Sequence, residues 1–199
     1  MAMLPIYTYN QPVLRKKAKP VKSVDDEFVR FVEDMMETMH KANGIGLAAN
    51  QVGSLQRVLV VDVSEVLKEK EESGDIASDE IPPEAKSPLV MINPVVLLEE
   101  GELVMEEGCL SIPDIREEVK RAEAIQVKYK DLKMQENELF ADGLFARVIQ
   151  HEIDHLNGIL FVDRLGKMKQ KLLKGRLNRI RKGEIEVSYP IVGEAIPDD

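Results

Sequence analysis

Residues 151–155 read His-Glu-Ile-Asp-His, and this one string holds two of the chain's three histidines. Residues four apart on a helix share a face, so His151 and His155 can reach the same metal ion. Neutral imidazole suits zinc, iron, cobalt or nickel. Glu152 lies beside the first ligand and can face a water on that ion without ligating it. A bound metal makes its water acidic, to a pKa of about 7 in favourable zinc sites, and a neighbouring carboxylate can take the proton and pass it on. The pattern therefore points to metal-dependent hydrolysis.

The third ligand is open at this level. A common extension of H-E-x-x-H places a glycine and then a third histidine downstream. Gly158 fits, but the final position is Phe161, which cannot bind a metal. Asp163 and Glu184 could supply oxygen, which would make the chain a metallopeptidase. The only cysteine, Cys109, could supply a thiolate, which binding would deprotonate. It lies in Glu107-Gly108-Cys109-Leu110-Ser111. His40 ends a methionine-rich stripe and has no assigned role.

These groups must be held by a modest scaffold. With 199 residues, 44% hydrophobic and 32% charged, the composition is that of a soluble globular protein of one domain, residues 1–199. A lone cysteine excludes an internal disulfide and fits a reducing compartment. No leader or membrane span is read, so the expected location is a bacterial-type cytoplasm. A net charge of -9 argues against a whole-protein DNA or RNA binder. The charge is uneven. Residues 64–88 are acidic, with Glu65, Glu69, Glu71, Glu72, Asp75, Asp79, Glu80 and Glu84, and with Gly74, Pro82 and Pro83 they read as a long surface loop, an insertion. Residues 165–183 carry eight basic residues and no acid.

The periodicities give the elements. Phe28, Phe31, Val32, Met35, Met36 and Met39 predict a helix over 23–43, with Ser23 and Asp26 as a capping box and Gly44 as its stop. Gly44-Ile45-Gly46 then reads as a tight loop. Residues 57–63 read as a buried strand, and 89–92, 95–99 and 102–105 as short strands broken at Asn93-Pro94 and Gly101. Ile125, Val127 and Tyr129 alternate with polar residues in another strand. Asp142 can cap a helix running to about Asn157, with Gly158 ending it and the metal string in its last turns. Leu165, Met168, Leu172, Leu173, Leu177 and Ile180 form an amphipathic pattern in a basic C-terminal helix. The expected fold is α+β: mixed or antiparallel short strands packed around a central H-E-x-x-H helix, with N-terminal and C-terminal helices.

Three segments in order narrow the reading. Residues 44–51 (GIGLAANQ), 107–111 (EGCLS) and 150–155 (QHEIDH) resemble the signature motifs of the peptide deformylase family. The similarity extends through residues 11–15 and 156–161. One departure is Asn50, where the family commonly has proline; asparagine restores a backbone N–H and frees the backbone.

The resemblance implies removal of the formyl group from N-formylmethionyl nascent peptides. It implies Cys109, His151 and His155 as ligands of one divalent ion, ferrous iron in the cell, with zinc, nickel or cobalt able to replace it. Glu152 is implied as general base and then acid, and the Gln51 amide and Leu110 N–H as donors to the oxyanion. Ile45, Met105, Leu144 and Val148 match positions lining a methionine pocket. Gly46 and Gly108 offer backbone contacts, and Arg116 stands at the rim. The basic helix is implied to meet the ribosome near the nascent-chain exit; no membrane or DNA partner is implied. Arg121 and Asp154 are candidates for a buried supporting ion pair. A family member that kept the fold and lost catalysis is the remaining alternative.

Overall fold

The computed structural model describes residues 2–79 and 81–193, so Met1, Glu80 and residues 194–199 lie outside the account, and with them the termini of the 1–199 domain. In chain order the elements are β1 (Ile6–Tyr7), a 3-10 turn at Pro12–Arg15, α1 (Asp26–Lys41), β2 (Gly46–Ala48), a 3-10 turn at Ala49–Val52, β3 (Val58–Val61) and α2 (Ser64–Ser73). Then come β4 (Leu89–Glu100), β5 (Leu103–Cys109), β6 (Ile112–Arg121), β7 (Ala124–Lys130), β8 (Glu136–Asp142), α3 (Gly143–Leu156), a 3-10 turn at Phe161–Arg164, α4 (Lys167–Arg181) and β9 (Ile191–Val192). The expected α+β class with N-terminal, central and C-terminal helices is what the chain forms.

An antiparallel sheet in the order β2-β3-β4-β7-β8 carries the core on both faces. On one face Leu59, Val61, Met91, Ile125 and Val127 pack against Phe145, Ala146, Ile149 and Ile153 of α3. On the other, Val58, Val60 and Ile92 meet Phe28, Val32, Met35 and Met39, the buried stripe of α1. The β5–β6 hairpin stands apart from this sheet. Its Ile112, Ile115 and Val119 form a third cluster with Leu14, Phe161 and Leu173 and Leu177 of α4.

Helix α3 is buried along its length, from Phe145 to Leu156. A helix enclosed on all sides needs every polar group on it partnered, and it carries Arg147, Gln150, His151, Glu152, Asp154 and His155. Gly158 closes it at φ +77°, and a Cβ there would stand 2.6 Å from the Arg15 carbonyl oxygen.

Several expectations need correction. The α1 cap is Asp25, whose carboxylate accepts from Phe28 N at 2.8 Å, rather than a Ser23–Asp26 box. Gly46 is not loop; it opens β2 opposite Val61. Residues 64–88 are not one loop. Ser64–Ser73 is helical, and Leu67, Ile81 and Ala85 reach the core. Residues 89–100 form one strand, because bulges absorb the interruption at Asn93-Pro94. The Asn93 side chain there bonds both Val21 N and Val21 O at 2.8 Å. Asp142 holds the N-cap position of α3 but makes no side-chain cap bond.

Candidate active site

Three elements bring the chemistry together. α3 supplies His151, Glu152 and His155. The end of β5 supplies Cys109, and the turn into β6 supplies Leu110. The 3-10 turn after β2 supplies Gln51. The Cys109 sulfur lies 3.2 Å from His155 Nε2, which lies 3.2 Å from His151 Nε2. Among the described residues, this is the group of three whose donor atoms, all within 4.8 Å of one another, could hold a metal ion.

The rival third ligands are elsewhere. Asp163 is bound by Arg15 and accepts from Leu160 N at 2.8 Å, closing its own 3-10 turn. Glu184 faces Lys182.

The donor set fits a divalent ion on its own chemistry. Glu107, buried, stands 2.9 Å from His151 Nδ1. A carboxylate there fixes the ring with its proton on Nδ1 and leaves Nε2 free to bind. Burial works against charge on His151, but the Cys109 sulfur and Glu107 outweigh it and hold its pKa up at about 10. The site thus favours a positive charge where Nε2 points, and a metal ion can supply it in place of a proton. His155 goes the other way. Burial, then the neighbouring His151 charge, push it well below the usual histidine value, so its ring is neutral.

Behind His151 lies an ion network that the sequence reading found only in part. The Arg121–Asp154 pair is present at 2.6 Å, with both side chains buried. Glu107 joins it, accepting from Arg121 Nε at 2.6 Å, Arg121 Nη2 at 2.9 Å and Arg147 Nη1 at 2.9 Å. Arg164 bonds the other side of Asp154. Burial alone would raise the Glu107 pKa, but His151 and the Arg121 guanidinium reverse that and hold it far below the carboxylate range. Glu107 lies in the EGCLS motif, where the sequence alone assigns it no role. The signal was its place on β5, two residues from Met105 and four from Leu103, on the inward face of a strand.

Glu152 and Gln51 face the front. Burial lifts the Glu152 pKa to about 7, against the pull of the His151 and Arg121 charges. Its Oε2 has no protein partner among the described residues. Gly46 makes room for it: a Cβ at Gly46 would stand 2.5 Å from Glu152 Oε1 and 2.7 Å from Val148 Cγ1. Gln51 Oε1 accepts from Ala48 N at 2.8 Å, which turns Nε2 toward Cys109, 3.6 Å from the sulfur, and Ser111 Oγ at 3.4 Å. Asn50 is fully buried, and its amide donates to Lys16 O at 2.7 Å and Val13 O at 3.3 Å. It ties the Gln51 turn to the Pro12–Arg15 turn with a side chain where a proline would rely on ring stiffness.

These groups open onto a cavity of about 340 Å³ lined by Ile45, Gly46, Gln51, Gly108, Cys109, Leu110, Arg116, Leu144, Val148, His151 and Glu152 among others. Arg116 is exposed at its edge, 3.7 Å from Glu106. Met105 is the exception to the expected lining. It is not one of the cavity residues and instead stands opposite Val119 in the β5–β6 ladder.

The sequence model of the polypeptide deformylase family matches residues 3–171. The chain belongs to that family. A peptide deformylase of Salinibacter ruber is 44% identical over 191 residues, covering 96% of this chain and 94% of the relative. One from Chlorobium phaeobacteroides is 47% identical over 189 residues, covering 95% of each. The crystal structure of the Ehrlichia chaffeensis peptide deformylase superposes with a TM-score of 0.80 at 34% identity, over 92% of this chain and 99% of that one. The Legionella pneumophila enzyme gives 0.76 at 36%, over 92% and 98%. The deformylase fold is therefore present over nearly the whole length of this chain.

Proposed function

We propose that this deformylase-family chain hydrolyses the formamide of N-formylmethionyl nascent peptides, releasing formate. The observation that carries the reading is the cluster of Cys109, His151 and His155 donor atoms beside a cavity that Cys109, His151, Glu152 and Gln51 line. Cys109 Sγ, His151 Nε2 and His155 Nε2 are the atoms that would hold the ion. A divalent ion in this donor set supplies Lewis acidity, polarising a carbonyl and making water acidic.

The chain's own residues do the rest. Glu152, poised near neutrality, takes the proton from the attacking water and returns it to the departing amine, which cannot leave as an anion. Gln51 Nε2 and the Leu110 N–H receive the charge that develops on the formyl oxygen; one such donor is typically worth about 3 kcal/mol in the transition state. Ile45, Leu144 and Val148 receive the methionine side chain. Gly46 and Gly108 contact the peptide backbone, and Arg116 meets residues beyond the methionine. The metal we assign from the family resemblance is ferrous iron in the cell; zinc, nickel or cobalt can substitute for it, because a thiolate with two imidazoles accepts all four.

A cytoplasmic location accords with nascent-chain substrates and a single unpaired cysteine; among the described residues no helix is long and apolar enough to cross a membrane. Docking on the ribosome is assigned to α4. All of its lysines and arginines but Arg181 are exposed, beside Met168 and Leu172, which are 80% and 77% exposed. Such a face suits RNA phosphates with an apolar contact at its centre. Co-sedimentation with ribosomes should weaken as salt rises and when the α4 lysines are reversed in charge; binding indifferent to both would refute the docking.

The test of the activity is formate release from a formyl-Met-Ala peptide, compared with the unformylated peptide and with cleavage of its internal amide. Formate from the first alone is expected. Cleavage of the internal amide would favour a peptidase instead.

A further inference from the structure

Leu110 and Ser111 form the two-residue turn between Cys109 and Ile112, which pair across the hairpin. The carbonyls of such a turn point away from the ladder, so something outside the hairpin must hold them. Two distant segments do. Tyr189 Oη donates to Leu110 O at 2.9 Å, and Tyr9 N donates to Ser111 O at 2.8 Å. The two holders are themselves joined. Ile6 N donates to Pro190 O at 2.9 Å, and Thr8 donates to Val192 O through both its N–H at 3.1 Å and its hydroxyl at 3.2 Å. Thr8 and Ile6 are fully buried, and β1 and β9 run parallel, Ile6 beside Ile191 and Tyr7 beside Val192. The strap 189–192, residues 6–9 and the Leu110–Ser111 turn thus form one closed ring of hydrogen bonds beside Cys109.

We propose that Tyr189 is a positioning residue for the reaction: by holding Leu110 O it fixes the 110–111 peptide and with it the Leu110 Cα, which anchors the adjoining Leu110 N–H that faces the substrate's formyl oxygen. The inference rests on the deformylase reading, in which that N–H is an oxyanion donor. Among the described residues Tyr189 makes no hydrogen bond to Cys109, His151 or His155, and it acts through the Leu110 backbone. The C-terminal strap is then part of the active-site scaffold, although it lies 34 residues beyond His155 in sequence.

Tyr189→Phe removes the hydroxyl and keeps the ring. The expected result is a fall in kcat of about tenfold, well short of deleting an oxyanion donor, with KM within twofold and metal content unchanged. Amide hydrogen exchange at residues 110–111 should quicken, a readout independent of turnover. Thr8→Val, which loosens the strap without touching Tyr189, should move both quantities the same way by less. The double variant should add little to Tyr189→Phe, because both act through one ring. A Tyr189→Phe enzyme that melts at a lower temperature but keeps the wild-type kcat and the wild-type exchange at 110–111 would overturn the proposal and leave Tyr189 a purely structural residue. Wild-type protein that releases no formate would instead overturn the deformylase reading itself.

Discussion

Behind His151, both oxygens of Glu107 are occupied, shared among Arg121, Arg147 and His151, and Asp154 is gripped by Arg121 and Arg164. In front, Glu152 Oε2 has no protein partner among the described residues, and the nearest acceptors to Gln51 Nε2 stand at 3.4 and 3.6 Å. Both regions are buried and both are polar, so burial alone does not explain the contrast. Of the buried atoms in the network behind His151, Arg147 Nε lacks a hydrogen-bond partner, but every carboxylate is paired. Such a network resists movement, because shifting a member leaves a buried charge unpaired. A buried carboxylate and an amide with weak partners keep their capacity for a visitor. The back fixes where the His151 ring points, and the front is left ready to bond to what enters the cavity.

The contrast predicts a graded series. Glu152→Gln should cost the most, about a 10³–10⁴-fold loss of kcat, with metal content at the wild-type level. A variant that turns over normally would break the front-side assignment. Gln51→Leu should lose about 10²-fold in kcat with little change in metal content. Glu107→Gln tests the back. It should weaken metal affinity by about 10–100-fold and lower the melting temperature, because His151 loses its orienting carboxylate and two arginines lose a counter-charge. If Glu107→Gln affected kcat alone, at saturating metal and with unchanged stability, the two sides would not be separable as drawn.

Smaller effects sharpen the same division. Gly46→Ala pushes a Cβ into Glu152 and Val148, whereas a Cβ at Gly108 would meet only the flexible Arg116 side chain at 3.4 Å. Activity should fall in the first variant and stay within a few-fold in the second. Far from the site, Asp62 accepts from Ser64 and His40. Burial opposes its ionisation, yet those bonds hold its pKa below the usual aspartate value. A depressed carboxylate stabilises the fold above its unfolded pKa and loses that contribution as pH falls through the folded value. Asp62→Asn should therefore lower the melting temperature slightly at pH 7, and the gap should narrow below about pH 4.

The front of the site was largely legible in the sequence because its spacing is local. The i, i+4 histidines with Glu152 between them need only a helix, and Gln51 and Cys109 sat in motifs that a family resemblance could place. The back was legible only in the Arg121–Asp154 pair, since its other partners come together only in the fold: Arg147 lies 40 residues from Glu107 in sequence and His151 lies 44 from it. β6 and β8 escaped for a different reason. β6 has one face of charges, and only Ile112, Ile115 and Val119 with Pro113 and Arg121 turn inward. β8 is an edge strand with only Leu139 and Ala141 buried. Such strands carry too few apolar positions for alternation to stand out. The α2 helix hid in an acidic, proline-flanked stretch whose composition outweighed the single inward Leu67.

The central claim is that Cys109, His151 and His155 hold one ion and that deformylation depends on it. Protein purified without oxygen should carry one ferrous ion per chain and release formate from formyl-Met-Ala. Both should be lost together on chelation and regained together when ferrous iron is returned, while Cys109→Ser shows neither at the same metal concentration. Full metal occupancy and full turnover in Cys109→Ser would contradict the account.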